Sequence, residues 1–348
     1  MTDQTVSSSM PGVPASWQGA AERVYRIEGA DGASVAYACP EIGGNVFAYA
    51  VKAGDGWRQV FDVGTPTELR DTPSRYGLPV LFPFPGSMRG GQYQWLGKTY
   101  TVPPTYPTGS DPDGADIVIH GFAHIRPWSF VSQTDDTIVM EFLTPDALDP
   151  ARAASYPFKV RVRHEVKIAA DGLTSTMTAT NEGAEPAPVA FGLHPYFGPG
   201  VLGPDRSQVQ VELPGASVRL RDPGPPPAMN GARGPAPEGP VSVVPNPERM
   251  HASRTDFPPD AVARLINLPP IDGRSGWTVE LWMDPGYQDL LMFAPPVQPS
   301  ISIEPQTHMP GLASLPEGHP AGLQPLAPGA SLVAVARVRL VPPASEGA

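Results

Sequence analysis

Between Lys159 and Thr180 the chain alternates apolar and polar residues along two consecutive stretches, and nothing else in the sequence restricts its fold as tightly. Lys159 to Ile168 reads KVRVRHEVKI. A period of two places Val160, Val162, His164, Val166 and Ile168 on one face and Lys159, Arg161, Arg163, Glu165 and Lys167 on the other. Leu173 to Thr180 repeats the pattern, with Leu173, Met177 and Ala179 opposed to threonines at 174, 176, 178 and 180. Asp171-Gly172 between them is a turn dipeptide, so the two strands are predicted to pair antiparallel, each with one buried side.

Strand signals recur on both sides of this hairpin. Ser331 to Val341 is β-branched-rich, opened by Gly329 and closed by Pro342-Pro343, and reads as a late sheet strand. Shorter candidates are Val35–Cys39, Val46–Val51, Tyr93–Trp95, Tyr100–Val102, Phe130–Ser132, Thr137–Phe142, Ala190–Leu193, Val209–Leu213, Thr278–Trp282, Leu290–Phe293 and Ile301–Glu304. Helical periodicity is scarce. Its best instance is Asp260 to Leu268, where Val262, Leu265 and Ile266 are spaced for one helix face. Many strands and few, short helices predict an all-β fold, a large antiparallel sandwich. Asp222 to Glu248 is dense in Pro and Gly and reads as a long surface excursion. Residues 1–18 are expected to form a flexible arm, and residues 19–348 one β-sandwich domain.

Composition narrows the function. Proline (47) and glycine (36) make up about 24% of the chain, which raises the question of disorder. Yet 41% of residues are hydrophobic and 17% charged, too apolar for a chain that stays unfolded. The formal net charge of −11 argues against a nucleic-acid partner. The single cysteine, Cys39, cannot form an internal disulfide and reads as a small buried hydrophobe. No basic start with a following apolar run marks a signal peptide, and no run reaches the ~18 apolar residues of a membrane span. These features lead to the expectation of a cytoplasmic protein with no membrane partner.

Three histidines and one glutamate stand out by context. His120 ends the run IVIH at 117–120, just before Gly121. His194 follows a strand in AFGLHPYF and is held by Pro195. In SISIEP (300–305), Ile301 and Ile303 face one way and Ser300, Ser302 and Glu304 the other, which places a carboxylate at the polar end of a strand. His124 follows His120 at a spacing of four. A carboxylate and an imidazole have ordinary pKa values of about 4.3 and 6.5, a pair that spans neutral pH for moving one proton on and another off. Trp95, Trp128, Tyr196, Trp282 and Phe293 offer apolar faces for a ring ligand, although large aromatics are more often core.

The runs LPVLFPFPGSMRGGQYQWLGKTYTVP (78–103), HGFAHIRPW (120–128), PVAFGLHPYF (188–197), ISIEPQT (301–307) and GLQPLAPGASL (322–332) resemble, in order and spacing, the aldose 1-epimerase (mutarotase) family. The resemblance runs from about residue 30 to 341. It implies a galactose mutarotase-like β-supersandwich, a sugar as small-molecule partner and a reaction with no cofactor or metal, in a monomer or homodimer. It also implies Glu304 as general base, His194 as general acid, and His120 hydrogen-bonding the sugar. Where the family often has Asn-Arg after the LFPFP-like run, this chain has Gly86-Ser87, with Arg89 as the candidate substitute. Where hexose-6-phosphate mutarotases commonly carry HGFAR, this chain has His124, with Arg126 just beyond. That departure favours a neutral sugar, and Arg126 keeps a phosphorylated one open. The family's sugar-binding aspartate falls in a poorly matching stretch, with Asp260 as the candidate and Asp256 its competitor. Trp282 is the further substrate-binding candidate.

Alternatives compete with each assignment. His194 and His120 could be hydrogen-bonded core histidines, and Glu304 a solvated edge carboxylate. His164 shares a face with four aliphatics and is assigned to structure, while His251, His308 and His319 are expected on exposed loops. His120 and His124, with His194 or Glu304, could bind a divalent metal, but Gly121 and Pro127 work against the helix that such spacing favours. A sandwich that binds carbohydrate without turning it over is the non-enzymatic alternative. For the catalytic reading, Glu304 and His194 are expected about 5–6 Å apart.

Overall fold

The computed structural model describes residues 13, 15–17, 20–54, 56–106, 118–222, 228–267 and 276–342. Among these residues the strands assemble chiefly into a nine-stranded and an eight-stranded antiparallel sheet, with a four-stranded sheet formed by the N-terminal strands Tyr25–Glu28 to Gly56–Gln59. The hairpin around Asp171-Gly172 forms as its alternation requires. Val160–Ala169 pairs with Gly172–Asn181 from Ala169↔Gly172 to Val160↔Asn181, and their burial alternates along the whole length. The late strand Ser331–Val341 runs beside Gly172–Asn181 in the same sheet. His164 is buried in the core, its Nε2 2.8 Å from Ser175 Oγ. Cys39 is buried, and burial pushes its thiol up to about 12.

One apolar cluster binds these layers, drawing residues from Ile27 to Leu340. The three α-helices among the described residues are short, Pro66–Asp71, Pro150–Ser155 and Pro199–Leu202, each under two turns. Each starts on proline, whose fixed φ suits the first helical position and whose missing N–H costs nothing there.

Two expectations change. Ala261–Asn267 is a strand and not a helix: Ala261, Ala263, Leu265 and Asn267 are buried and alternate with Val262, Arg264 and Ile266. It pairs with Val209–Glu212 on one side and Thr278–Met283 on the other. Seven residues satisfy both periods, and hydrogen bonding to two neighbours decides for the strand. The Pro/Gly-rich stretch from Asp222 to Glu248 likewise contains strands, Ala228–Pro235 at one edge of the eight-stranded sheet and Val241–Ser242 at one edge of the nine-stranded sheet. Edge strands tolerate proline because one side needs no ladder bonds. Of the expected arm, residues 1–12, 14 and 18 lie outside the described residues. Trp17 is fully buried, stacked on Phe47 at 3.8 Å, and its indole N–H donates to Gly64 O at 2.8 Å.

The eight-stranded sheet positions the candidate residues. Its order is Ala228–Pro235, Ser217–Asp222, Met250–Thr255, Asp289–Ala294, Ile301–Gln306, Gly192–Leu193, Val80–Leu81, with Tyr196–Phe197 also on Ile301–Gln306. Ile301 and Ile303 enter the apolar core, which turns Ser302, Glu304 and Gln306 to the opposite face.

Candidate active site

Register alone brings His194 to Glu304. Gly192 pairs with Gln306 and Tyr196 with Ser302, so residue 194 falls opposite residue 304 on the same face. Pro195 and Pro305 cannot donate to this ladder, and the His194 N–H turns to Pro79 O on the neighbouring segment, at 2.9 Å. The side chains meet: His194 Nε2 lies 3.2 Å from Glu304 Oε1. The expected 5–6 Å separation is therefore corrected, because directly opposed residues on paired strands are in contact.

The same strand supplies what orients the pair. Ser302 Oγ lies 2.8 Å from His194 Nδ1, and the Gln306 amide donates to Glu304 Oε2 at 3.0 Å, leaving Oε1 to His194. Tyr196 stacks flat against the imidazole at 4.8 Å. Glu304 is 1% and His194 3% exposed. Burial holds the Glu304 carboxyl well above the usual glutamate range, against the opposing pull of Gln306 and Arg221. Burial likewise holds His194 well below the ordinary histidine value, with the His120, Arg75 and His124 side chains adding to the effect. The arrangement is thus a carboxyl and an imidazole in contact, each driven toward its neutral form.

His120 arrives on a strained turn. Its φ of +60° lies in the left-handed region, followed by Gly121 at +68°. A Cβ on Gly121 would stand 2.2 Å from Phe82 O, so only glycine allows the turn to dock on the LFPFP segment. His120 N–H donates to Gly86 O at 2.8 Å, and Gly86 N–H donates back to His120 Nδ1 at 3.2 Å. An Nδ1 that accepts leaves the proton of neutral imidazole on Nε2, which makes His120 a donor. Its ring centroid lies 5.0 Å from that of His194 and 6.2 Å from that of His124. His124 is 1% exposed, with Nε2 3.5 Å from Tyr106 Oη, and burial keeps it neutral by holding its pKa well down. Ile117 lies outside the described residues.

His120, His124, His194 and Glu304 are thus brought together, and the remaining candidates stand elsewhere. Arg89 is exposed on a turn, its backbone N–H held by Ser314 Oγ at 2.7 Å. Arg126 is engaged by Asp146 at 2.5 Å. Asp260 is exposed at the turn before Ala261, and Asp256 pairs with Arg233 at 2.5 Å. Trp282 lies on the other sheet, where Val279, Leu281 and Met283 take the buried face and leave its ring under Arg337 at 5.2 Å. Among the described residues no three His, Cys, Asp or Glu side chains converge as a metal site. His308 is half-buried, not exposed, and burial holds its imidazole down to about 4.

Sequence reasoning missed four residues here. Ser302 and Gln306 were legible in principle, since alternation puts them on Glu304's face. Arg75, 4% exposed with its charge acting on His194, carries no local signal. His251 lies on the strand Met250–Thr255 and not on a loop, opposite Phe293, which itself opposes Ser302.

The aldose 1-epimerase family model matches residues 24–220, more than half the chain. This protein belongs to the aldose 1-epimerase family. The matched stretch holds His120 and His194, and Glu304 lies beyond it. The uncharacterized protein YphB of Escherichia coli K12 is 27% identical over 141 residues, 40% of this chain and 43% of that one. The uncharacterized protein YihR of the same organism is 24% identical over 159 residues, 44% and 48% of the two chains. The chain therefore spans less than half the length of these curated relatives. Among solved structures, a galactose mutarotase-like protein from Clostridium acetobutylicum superposes with a TM-score of 0.73 at 20% identity, over 89% of this chain and 93% of that one. The GalM/aldose epimerase homologue from C. elegans superposes with a TM-score of 0.71 at 13% identity, over 93% and 100%. The aldose 1-epimerase family sandwich is thus the architecture of this chain.

Proposed function

We propose that this family member interconverts the α and β anomers of an aldohexose or a related sugar by acid–base ring opening and reclosure. The contact of His194 Nε2 with Glu304 Oε1 at 3.2 Å supports this reading above all else. Opening a hemiacetal takes the proton from the anomeric hydroxyl and delivers one to the ring oxygen. Those two oxygens share one carbon, so an acid and a base in contact can address both.

Glu304 as carboxylate accepts the O1 proton while His194 as imidazolium protonates O5. The C1–O5 bond breaks and the aldehyde forms. After rotation about C1–C2, neutral His194 takes the proton of the O5 hydroxyl as it attacks C1, and the Glu304 carboxylic acid returns a proton to O1. One proton shared by the pair suffices for the cycle. Burial raises the carboxyl and lowers the imidazole, which favours the neutral pair that matches the open-chain intermediate. His120 Nε2–H orients the ring by donating to a sugar oxygen.

Polarimetry of freshly dissolved α-D-glucose and α-D-galactose tests this. Wild type accelerates mutarotation, and Glu304→Gln loses about 10²–10⁴ in kcat. A variant within about two-fold of wild type would overturn the assignment. The half-buried Ser87, standing where the family often has arginine, favours a second reading, a sandwich that binds sugar without turnover. Saturable sugar binding with no acceleration would select it.

A further inference from the structure

The amide of Gln306 is engaged at one end only. Its Nε2 donates to Glu304 Oε2 at 3.0 Å. A carboxylate oxygen accepts from the NH2 end of an amide, which turns the Gln306 carbonyl oxygen, Oε1, away from Glu304. That oxygen is buried and has no hydrogen-bond partner among the described residues, and Gln306 as a whole is 0% exposed. A buried acceptor without a donor costs free energy that a donor from a ligand returns.

The strands around it hold the amide in this place. Gly192 stands opposite Gln306, and a Cβ on it would lie 2.9 Å from Gln306 Cγ and 3.0 Å from Pro305 O. Glycine at 192 therefore lets the Gln306 stem lie close against the neighbouring strand. On the other flank Asp289 stands opposite Gln306. Arg219 Nε and Nη2 are committed to the two oxygens of Asp289, at 2.6 and 2.8 Å, and Oε1 receives no donor from that side.

The two oxygens of Glu304 divide the neighbourhood between them. Oε1 faces His194 Nε2 at 3.2 Å, and Oε2 faces the Gln306 amide. In the mutarotase reading His194 serves the ring oxygen O5. O5 and C2 are the two ring neighbours of the anomeric carbon, so with O5 on the His194 side, C2 and its hydroxyl fall on the Gln306 side.

We infer that Gln306 Oε1 accepts a hydrogen bond from the C2 hydroxyl of the sugar, which makes Gln306 a specificity-determining residue for aldoses that carry this hydroxyl. The inference deepens the mutarotase reading and rests on it for the placing of O1 and O5. One amide then has two tasks: its N–H holds the base, and its carbonyl oxygen recognises the carbon beside the one that opens. A sugar without the 2-hydroxyl leaves Oε1 buried and unpaired.

Sugars in pairs, D-glucose with 2-deoxy-D-glucose and D-galactose with 2-deoxy-D-galactose, test this on wild type, Gln306→Met and Gln306→Glu. Polarimetry gives kcat/KM, each divided by the spontaneous mutarotation rate of the same sugar, and calorimetry gives Kd. Wild type should favour a parent sugar over its 2-deoxy form by about tenfold or more. Gln306→Met, unbranched like glutamine but with only a weak sulfur acceptor, should bring that ratio below about threefold. Gln306→Glu keeps an acceptor oxygen while setting a second carboxyl beside Glu304, so it should lose rate on both sugars of a pair and keep the preference. Because the ratio is taken within one protein, a partly unfolded variant still reports it. A wild-type ratio under about tenfold, a ratio unchanged in Gln306→Met, or a preference lost in Gln306→Glu would overturn the role of Gln306 and leave Glu304-dependent mutarotation standing. A Gln306-dependent preference in Kd without acceleration of any sugar would retain the contact and refute the catalytic reading. Neither acceleration nor binding of any of these sugars would overturn both.

Discussion

Acidification should loosen the protein through His164, by an amount the structure fixes. The imidazole lies in the core at 0% exposure, bonded to Ser175 Oγ and edge-on to Trp128 at 6.4 Å. Trp128 in turn donates to Ala123 O, within the turn that holds His120 and His124. Burial lowers the His164 pKa from 6.5 to about 3. The folded state therefore keeps this side chain neutral while the unfolded state takes up a proton, so its stabilising contribution is full above pH 6.5 and is lost as pH falls toward 3. Between pH 7 and pH 5 the loss is about 2 kcal/mol, from 1.36 kcal/mol per pKa unit over the span in which only the unfolded state is protonated. Urea unfolding of wild type and His164→Gln at the two pH values measures it. The other buried histidines titrate in both proteins and cancel, so wild type should lose about 2 kcal/mol more than the variant. Equal losses would show that His164 is not held neutral by burial and would refute the reasoning.

Further outcomes follow from the same geometry. Because burial raises the Glu304 carboxyl and lowers the His194 imidazole, the one-proton pair that the cycle uses is lost as pH falls through the lowered imidazole and as pH rises through the raised carboxyl, so kcat/KM should be bell-shaped with its acid midpoint below 6.5; an acid midpoint at or above 6.5 contradicts the buried-pair assignment. Asp289→Asn leaves Arg219, 5% exposed at its side chain, without its carboxylate and should cost about 3–5 kcal/mol in urea unfolding at pH 7; a loss under about 1 kcal/mol would mean that solvent reaches the guanidinium. Gly121→Ala puts a Cβ against Phe82 O at positive φ and should cost more than about 2 kcal/mol while weakening turnover through His120. Unchanged melting and kinetics would show that the turn is not fixed by that contact.

The sequence by itself determined the layered β architecture and the polar identity of the site's strands. Alternation from Lys159 to Thr180 is a local property that one buried face enforces, and it survives intact as paired strands. Ile301 and Ile303 against Ser302 and Glu304 obey the same rule, so the glutamate's face was legible before any neighbour was known. Ala261–Asn267 was not legible, because seven residues fit two periods and only hydrogen bonds to two flanking strands choose between them. The structure places Trp282 on the nine-stranded sheet, away from His194 and Glu304, and period two could not foretell that: it says that a side chain is on one face or the other, but not which sheet of the sandwich the face belongs to.

Tertiary structure alone decided the distances. That His194 meets Glu304 depends on the register set by Gly192↔Gln306 and Tyr196↔Ser302, across more than a hundred residues of intervening chain. That Arg126 is engaged by Asp146, and Arg219 by Asp289, follows from which segments the fold brings side by side. Residue type and spacing are written along the chain, whereas the partners that set a side chain's charge and reach come from segments remote in sequence, joined only when the apolar faces are buried together.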